Sequence, residues 1–206
     1  MARAPSVAGK TRLAPHLSPE RLDALRRAML SDTLQTVRSV AAADVVVFVT
    51  PDSAVEEIKD SVPQGEGDLG ERMRSAFADL LESRRYAAAI LVGSDIPLLS
   101  AAHITAARET LASVSGVVLG PADDGGYYLI GATRVHAPLF REIAWGSETV
   151  LTDTLRAAER AGIEARLIAS AYDVDTIDDL QRVQRELEGL PPDTAPALRA
   201  WLTASP

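Results

Sequence analysis

A short apolar run that ends on a carboxylate constrains this chain most. Ala88–Val92 is apolar throughout, Gly93 bounds it, and Asp95 stands where it stops. Pro97 comes two residues later and bars an ordinary helix from starting there. A run of this kind reads as a buried strand of a parallel sheet. Asp95 then lies at the strand's carboxyl end, the edge where open α/β sheets bind ligands. A single acid there is equally a turn or cap residue. A ligand role requires other polar groups on the same edge.

The pattern recurs along the chain. Val45–Val49, VVVFV, reads as a β-branched buried strand ending at Thr50-Pro51. Gly116–Gly120 is another, stopped by Pro121-Ala122-Asp123-Asp124-Gly125-Gly126. Tyr127–Ile130 resumes an extended run, which makes this pair strand, loop, strand rather than a crossover. Ala165–Ala169 is a further strand candidate, with Asp173-Val174-Asp175-Thr176 just past it.

Helical spacing fills the intervals. Ser18-Pro19 is a start signal, followed by Leu22, Leu25, Met29, Thr33 and Val37 on one face. Leu69, Met73, Phe77 and Leu80 mark the next helix, with Met73 and Phe77 read as core. Helices are also expected over Ser100–Ala112, from Ser147 or Thr149 to about Ala161, over Ile177–Leu187 behind a Thr176 cap, and over Ala195–Leu202. Strands alternating with helices give an α/β class with a mainly parallel sheet.

Asp95, Asp123/Asp124 and Asp173/Asp175 each follow a buried strand, and parallel strands bring such ends to one edge. Converging carboxylates repel unless a cation sits between them. Hard oxygen ligands with open positions suit Mg2+ or Mn2+. His16, His103 and His136 show no ligand spacing.

Composition narrows the classes further. At 206 residues the chain suits one domain with a full core, spanning 1–206. Its net charge of −8 argues against nucleic acid or an anionic membrane as partner. Cysteine is absent, which excludes disulfides and thiolate chemistry. No apolar run is long enough to span a bilayer and the N-terminus lacks a signal-peptide core, so a cytoplasmic protein is expected.

The first seventeen residues, with Pro5, Gly9 and Pro15, read as a loop. Ala4–Thr11, APSVAGKT, fits a relaxed phosphate-binding P-loop with Ala for the first Gly. A P-loop hangs between a strand and a helix. Nothing strand-like precedes this one, and Pro15 would interrupt its helix after one turn. Gly9, Lys10 and Arg12 remain as a flexible cationic loop suited to anions, or as a solvated basic turn.

Taken together, GKTRLAPHLSPERLDALRRAMLSDTL, QGEGDLGERMRSAF, GSDIPLL, GPADDGGYYLIG, WGSETVLTDTLRAAERAG and DVDTIDDL resemble successive blocks of a bacterial glycosyltransferase-like family. That family lies in the nucleotide-diphospho-sugar transferase superfamily. The opening block also resembles the phospholactate guanylyltransferases. The blocks run from about Pro5 to Leu180.

The resemblance implies a Rossmann-like glycosyltransferase A-type sandwich. Asp95 corresponds to the metal-binding acid after the central strand, and Asp175 completes the site, a role Asp173 could also take. Gly9, Lys10 and Arg12 would lie on the nucleotide phosphates, Gly67-Asp68-Leu69-Gly70 beside the nucleoside, and Asp124-Gly125-Gly126-Tyr127 beside the acceptor. The implied activity is a metal-dependent transferase that takes a nucleotide or nucleotide sugar and a small acceptor. Nucleotidyl transfer onto a phosphorylated or carboxylate acceptor, with Lys10 and Arg12 catalytic, is placed first. Glycosyl transfer with Asp124 as base is second, and a non-catalytic nucleotide-binding module third. Related chains place an apolar strand directly before the ARAP-like segment, whereas this one starts at Met1-Ala2-Arg3. A central strand of the sheet is therefore expected to be missing before residue 1.

Overall fold

Ser18 starts the first helix for a local reason. Its Oγ accepts the Arg21 N–H at 3.2 Å and Pro19 takes the first helical position, so α1 runs Pro19–Ser39. The computed structural model describes residues 12–50 and 61–204. Leu22, Leu25, Met29 and Thr33 of α1 are buried, as their spacing predicts. Leu22, Leu25 and Met29 pack with Leu13, Val174, α5 (Ile177–Glu188) and α6 (Pro196–Thr203), including Leu198 and Trp201.

Asp32 is the polar exception on the inner face of α1. Its carboxylate accepts the Ala197 and Leu198 N–H groups at 2.9 and 2.8 Å, two donors that the start of α6 leaves without helical partners. Asp32→Ala is expected to cost about 1–3 kcal/mol, because both donors stay where water reaches them poorly. Urea denaturation should show a lower midpoint with an unchanged slope.

Among the described residues the main sheet has four strands: β3 (Ala89–Val92), β4 (Val117–Pro121), β5 (Tyr127–Ala132) and β6 (Ala165–Leu167). Their order is β3-β5-β4-β6. β5 is antiparallel to β3 and β4, and β6 is parallel to β4. Three strands thus share one direction, as expected of a mainly parallel sheet, yet the pairing is mixed. The loop 122–126 sends the chain straight back, and β5 inserts between β3 and β4.

Both faces of β4 and β5 are covered, the arrangement that suits strands apolar throughout, while β6 at the end of the sheet carries Arg166 and is largely exposed. Val117, Leu119 and Ile130 join Phe77, Val150 and Ala157 on one side. Val118 and Leu129 join Ile104, Ala107 and Leu111 on the other. The helices responsible are α2 (Leu69–Ala78), which continues as a π-helical stretch Asp79–Ser83, α4 (Val150–Arg160) and α3 (Ala101–Leu111). Met73 and Phe77 are core, as read. Leu69 departs from its helix's buried face and is 42% exposed, at the first position of α2.

The Val45–Val49 run yields less strand than its composition promises. Only Phe48–Val49 pair, as β1, with β2 (Val62–Pro63), in a separate parallel two-stranded sheet. Val45, Val46 and Val47 are half-buried and line a cleft instead. Among the described residues no helix is long and apolar enough to cross a membrane.

Candidate active site

The ladder of β3 ends where Gly93 N–H bonds the Tyr128 carbonyl at 3.0 Å. Asp95 lies two residues on, and Ser94 Oγ donates to its Oδ1 at 3.3 Å. The Asp95 carbonyl accepts the Val174 N–H at 3.2 Å. This bond ties the segment after β3 to the segment after β6. Val174 is fully buried while Asp173 and Asp175 on either side are half-exposed, so two acids from a distant part of the chain flank the Asp95 backbone.

The start of α5 fixes that segment. Thr176 Oγ1 accepts the Asp179 N–H at 3.2 Å, and the Asp179 carboxylate accepts the N–H groups of Asp175 and Thr176 at 3.1 and 2.7 Å. The Thr176 cap read in the sequence therefore also positions Asp175. Leu13, with no exposed surface, packs in the same cluster as Val174, and Arg12 beside it in the chain is exposed. Gly9 and Lys10, with the P-loop-like stretch, lie outside the described residues.

Asp123 is differently engaged. Arg182 Nη1 donates to it at 2.8 Å, and Arg182 Nε donates to Glu186 at 3.0 Å. The guanidinium lies 3.6 Å from the Tyr172 ring centroid, and the Tyr172 hydroxyl donates to Glu186 at 2.8 Å. Burial, with Glu186 beside it, pushes the Tyr172 phenol well above its ordinary range. Arg182 offsets the Asp123 charge. Among the described residues no group of three or more His, Asp or Glu converges to hold a metal, so the expected convergence of all three acidic sites is not formed.

Asp124 accepts the Gly126 N–H on Oδ1 at 2.8 Å, closing a tight turn. Gly125 has φ +87°, and a Cβ there would lie 2.0 Å from the Glu148 carbonyl oxygen. The Gly125 carbonyl accepts the Leu151 N–H at 2.9 Å. Tyr127 turns its hydroxyl into the interior, where burial pushes its pKa far up. Its ring meets Trp145 edge-on at 6.4 Å. What this loop can offer an acceptor is therefore its backbone and Asp124 rather than the Tyr127 hydroxyl.

Trp145 also covers Gly70, where an added Cβ would come within 2.5 Å of the indole. The rest of the Gly67–Gly70 block starts a helix. Asp68 Oδ1 accepts the Glu71 N–H at 2.8 Å, Glu71 returns the bond to Asp68 N–H at 3.1 Å, and the Gly67 carbonyl accepts from Arg72 at 3.0 Å. Structure thus joins the Gly67–Gly70 and Asp124–Tyr127 blocks through Trp145.

The sequence passed over His103 and Arg182. Both line a cleft of about 200 Å3 with Asp123 and Tyr172. His103 Nδ1 accepts the Ser100 N–H at 3.1 Å, and burial lowers its pKa, so the neutral ring carries its proton on Nε2. The only local cue was its place three residues after Ser100, that of a capping box.

Asp95 with Asp173 or Asp175 offers two carboxylates from two chain segments. Mg2+ is held by one or two carboxylates, with substrate phosphates and waters completing its shell, and these are the residues that could hold it.

Comparison with known proteins agrees with the fold. The chain is 30% identical over 189 residues to 2-phospho-L-lactate guanylyltransferase of Methanothermobacter thermautotrophicus, covering 87% of this chain and 80% of that one. It is 29% identical over 178 residues to phosphoenolpyruvate guanylyltransferase of Roseiflexus sp. (strain RS-1), covering 83% and 77%. A crystal structure from Desulfovibrio desulfuricans G20, provisionally described as a nucleotide-diphospho-sugar transferase, superposes with a TM-score of 0.85 at 30% identity, over 96% of this chain and 91% of that one. The class is that of the nucleotidyltransferase enzymes with a Rossmann-like nucleotide-diphospho-sugar transferase fold. Residues 33–147 match the DUF2064 family, described as "Uncharacterized protein conserved in bacteria", and the chain belongs to that family.

Proposed function

We propose that this protein transfers a nucleotidyl group, with guanosine triphosphate the first donor to try, onto a small acid carrying both a phosphate and a carboxylate. The bond from Val174 N–H to the Asp95 carbonyl carries the reading, because it holds two carboxylate-bearing segments together at the sheet's carboxyl edge. The relatives supply its chemistry. Both are named guanylyltransferases, and the acceptors in their names, 2-phospho-L-lactate and phosphoenolpyruvate, each bear a phosphate and a carboxylate.

In this reaction an acceptor phosphate oxygen bonds to the α-phosphorus as the α–β bridging bond breaks and pyrophosphate leaves. The acceptor phosphate is already largely ionised at neutral pH, so no side chain need take a proton from it. Asp95 with Asp173 or Asp175 would hold Mg2+, which supplies Lewis-acid neutralisation of the phosphates when bound. Lys10 and Arg12 offset charge growing on the leaving pyrophosphate. Positioning and electrostatics then provide most of the rate gain.

Glycosyl transfer is the second reading, favoured by the likeness to the Desulfovibrio structure. There a nucleoside diphosphate leaves and the acceptor hydroxyl gives its proton to Asp124. The test incubates the protein and Mg2+ with each nucleoside triphosphate plus phosphorylated carboxylates, and separately with nucleotide sugars plus hydroxyl acceptors. Acceptor-dependent pyrophosphate, reduced about 100-fold in Lys10→Ala, is expected. Nucleoside diphosphate released from a sugar donor and lost in Asp124→Asn would overturn it. Nucleotide binding without either product would make the chain a binding module.

A further inference from the structure

The loop between β4 and β5 is held at its two corners by two different helices. At the far corner the Gly125 carbonyl accepts the Leu151 N–H of α4 at 2.9 Å. At the near corner the Asp123 carboxylate accepts Arg182 Nη1 of α5 at 2.8 Å. Between them the loop is closed on itself. Ala122 N–H bonds the Gly126 carbonyl, Gly125 N–H bonds the Ala122 carbonyl, and Asp124 Oδ1 accepts the Gly126 N–H. It therefore moves as one piece, and its two corners decide where Asp124 stands.

The corner on α5 is more closely built than an ordinary surface ion pair. Arg182 spreads its fork over two carboxylates, with Nη1 on Asp123 and Nε on Glu186 at 3.0 Å. Its guanidinium lies over the buried Tyr172 ring, 3.6 Å from the centroid, and the Tyr172 hydroxyl donates to Glu186 at 2.8 Å. Glu186 and Tyr172 thus fix the guanidinium independently of Asp123. Lysine, a point charge on a flexible stem, offers neither the fork nor the planar face. Tyr172 also opens the segment that carries Asp173 and Asp175, whose Val174 is tied to Asp95. Arg182 therefore refers the loop to the same segment that supplies the second carboxylate.

We propose that Arg182 is a positioning residue for the acceptor, one that acts through Asp123 to hold the β4–β5 loop at a set place beside the Asp173–Asp175 segment. This rests on the nucleotidyl-transfer reading, in which that loop lies beside the acceptor. Both partners of the pair are about half exposed, so it adds little to global stability. Its effect falls on how often the loop is in place. A ligand whose site is competent for only part of the time binds with affinity reduced by that fraction, and the saturated complex is unaltered. Loss of the tether therefore raises acceptor KM and spares kcat. Global damage does the reverse, since it removes active protein and lowers kcat at constant KM.

The test compares the parent chain with Arg182→Met, Arg182→Lys and Asp123→Ala, using guanosine triphosphate, Mg2+ and phosphoenolpyruvate. In Arg182→Met the acceptor KM is expected to rise about tenfold, with kcat within about threefold and the donor KM within about twofold. Arg182→Lys keeps the charge without the fork and should recover little. Asp123→Ala should match Arg182→Met from the loop side, and combining the two should add nothing further, because both remove one contact. Amide exchange gives a readout that needs no turnover. The N–H of residue 123, bonded to the Ala171 carbonyl at 3.1 Å beside the pair, should exchange about tenfold faster in each variant. The Gly126 N–H, bonded within the loop, should not change. An unchanged acceptor KM in Arg182→Met, or a fall in kcat at constant KM, would overturn the proposal. Should the parent chain consume no phosphorylated carboxylate, the nucleotidyl-transfer reading fails by itself. The amide of residue 123 then decides the tether, faster exchange upholding it and unchanged exchange overturning it.

Discussion

Asp95→Asn is expected to lower the Mg2+-dependent rate of pyrophosphate release by about 1,000-fold while moving the melting temperature by no more than about 2 °C. Lewis-acid stabilisation is worth several kcal/mol, and about 4 kcal/mol corresponds to three decades in rate. The fold should be spared because the tie to Val174 uses the Asp95 main-chain carbonyl, which the substitution retains. Side-chain size is retained too, at a half-exposed position. Asp173→Asn and Asp175→Asn, measured alongside, choose the second carboxylate, since only a metal-holding acid should approach the Asp95→Asn loss. Calorimetry of nucleotide binding with and without Mg2+ separates the metal from general acidity. Unchanged metal-linked affinity in Asp95→Asn would reduce Asp95 to a turn residue.

What could be read from the sequence was what short-range chemistry decides. Ser18-Pro19 and Thr176 are signals satisfied within a few residues, and both helices begin where those signals stand. The 121–126 turn announced a hairpin, but no local cue told that β5 would lie between β3 and β4. Arg182 reaches Asp123 across 59 residues, so the pairing that removes Asp123 from the acidic group has no trace in either neighbourhood. Tyr127 and Tyr128 are adjacent, and strand alternation sends them to opposite faces. One meets Trp145 and the other meets His103 edge-on at 5.6 Å. Which face held the core was a tertiary matter. The Val45–Val49 run shows the opposite failure, because β-branched composition makes a strand only where an edge is present to pair with it.

Gly125→Val should be the most damaging single change in the loop between β4 and β5, costing about 3 kcal/mol or more. At φ +87° a β-branched L-residue is strained by about 1–2 kcal/mol before any contact is counted. Its Cβ would lie 2.0 Å from the Glu148 carbonyl oxygen, a main-chain atom that no rotamer change can move aside. Relief requires the loop to swing away, and the Gly125 carbonyl would then release the Leu151 N–H at the start of α4, at about 1 kcal/mol more. For a chain of this size the melting temperature should fall by about 6–12 °C. Gly126→Ala is the informative contrast. Its nearest contact is the Asp124 carboxylate at 3.1 Å, and its backbone lies outside the left-handed region. Stability should change by less than about 1 kcal/mol. Any rise in acceptor KM for Gly126→Ala then reports contact with substrate, which a loss of activity in Gly125→Val cannot do. A Gly125→Val protein that melts with its parent would show that the loop is free to leave Glu148, and the Gly125 contact would have no part in holding α4.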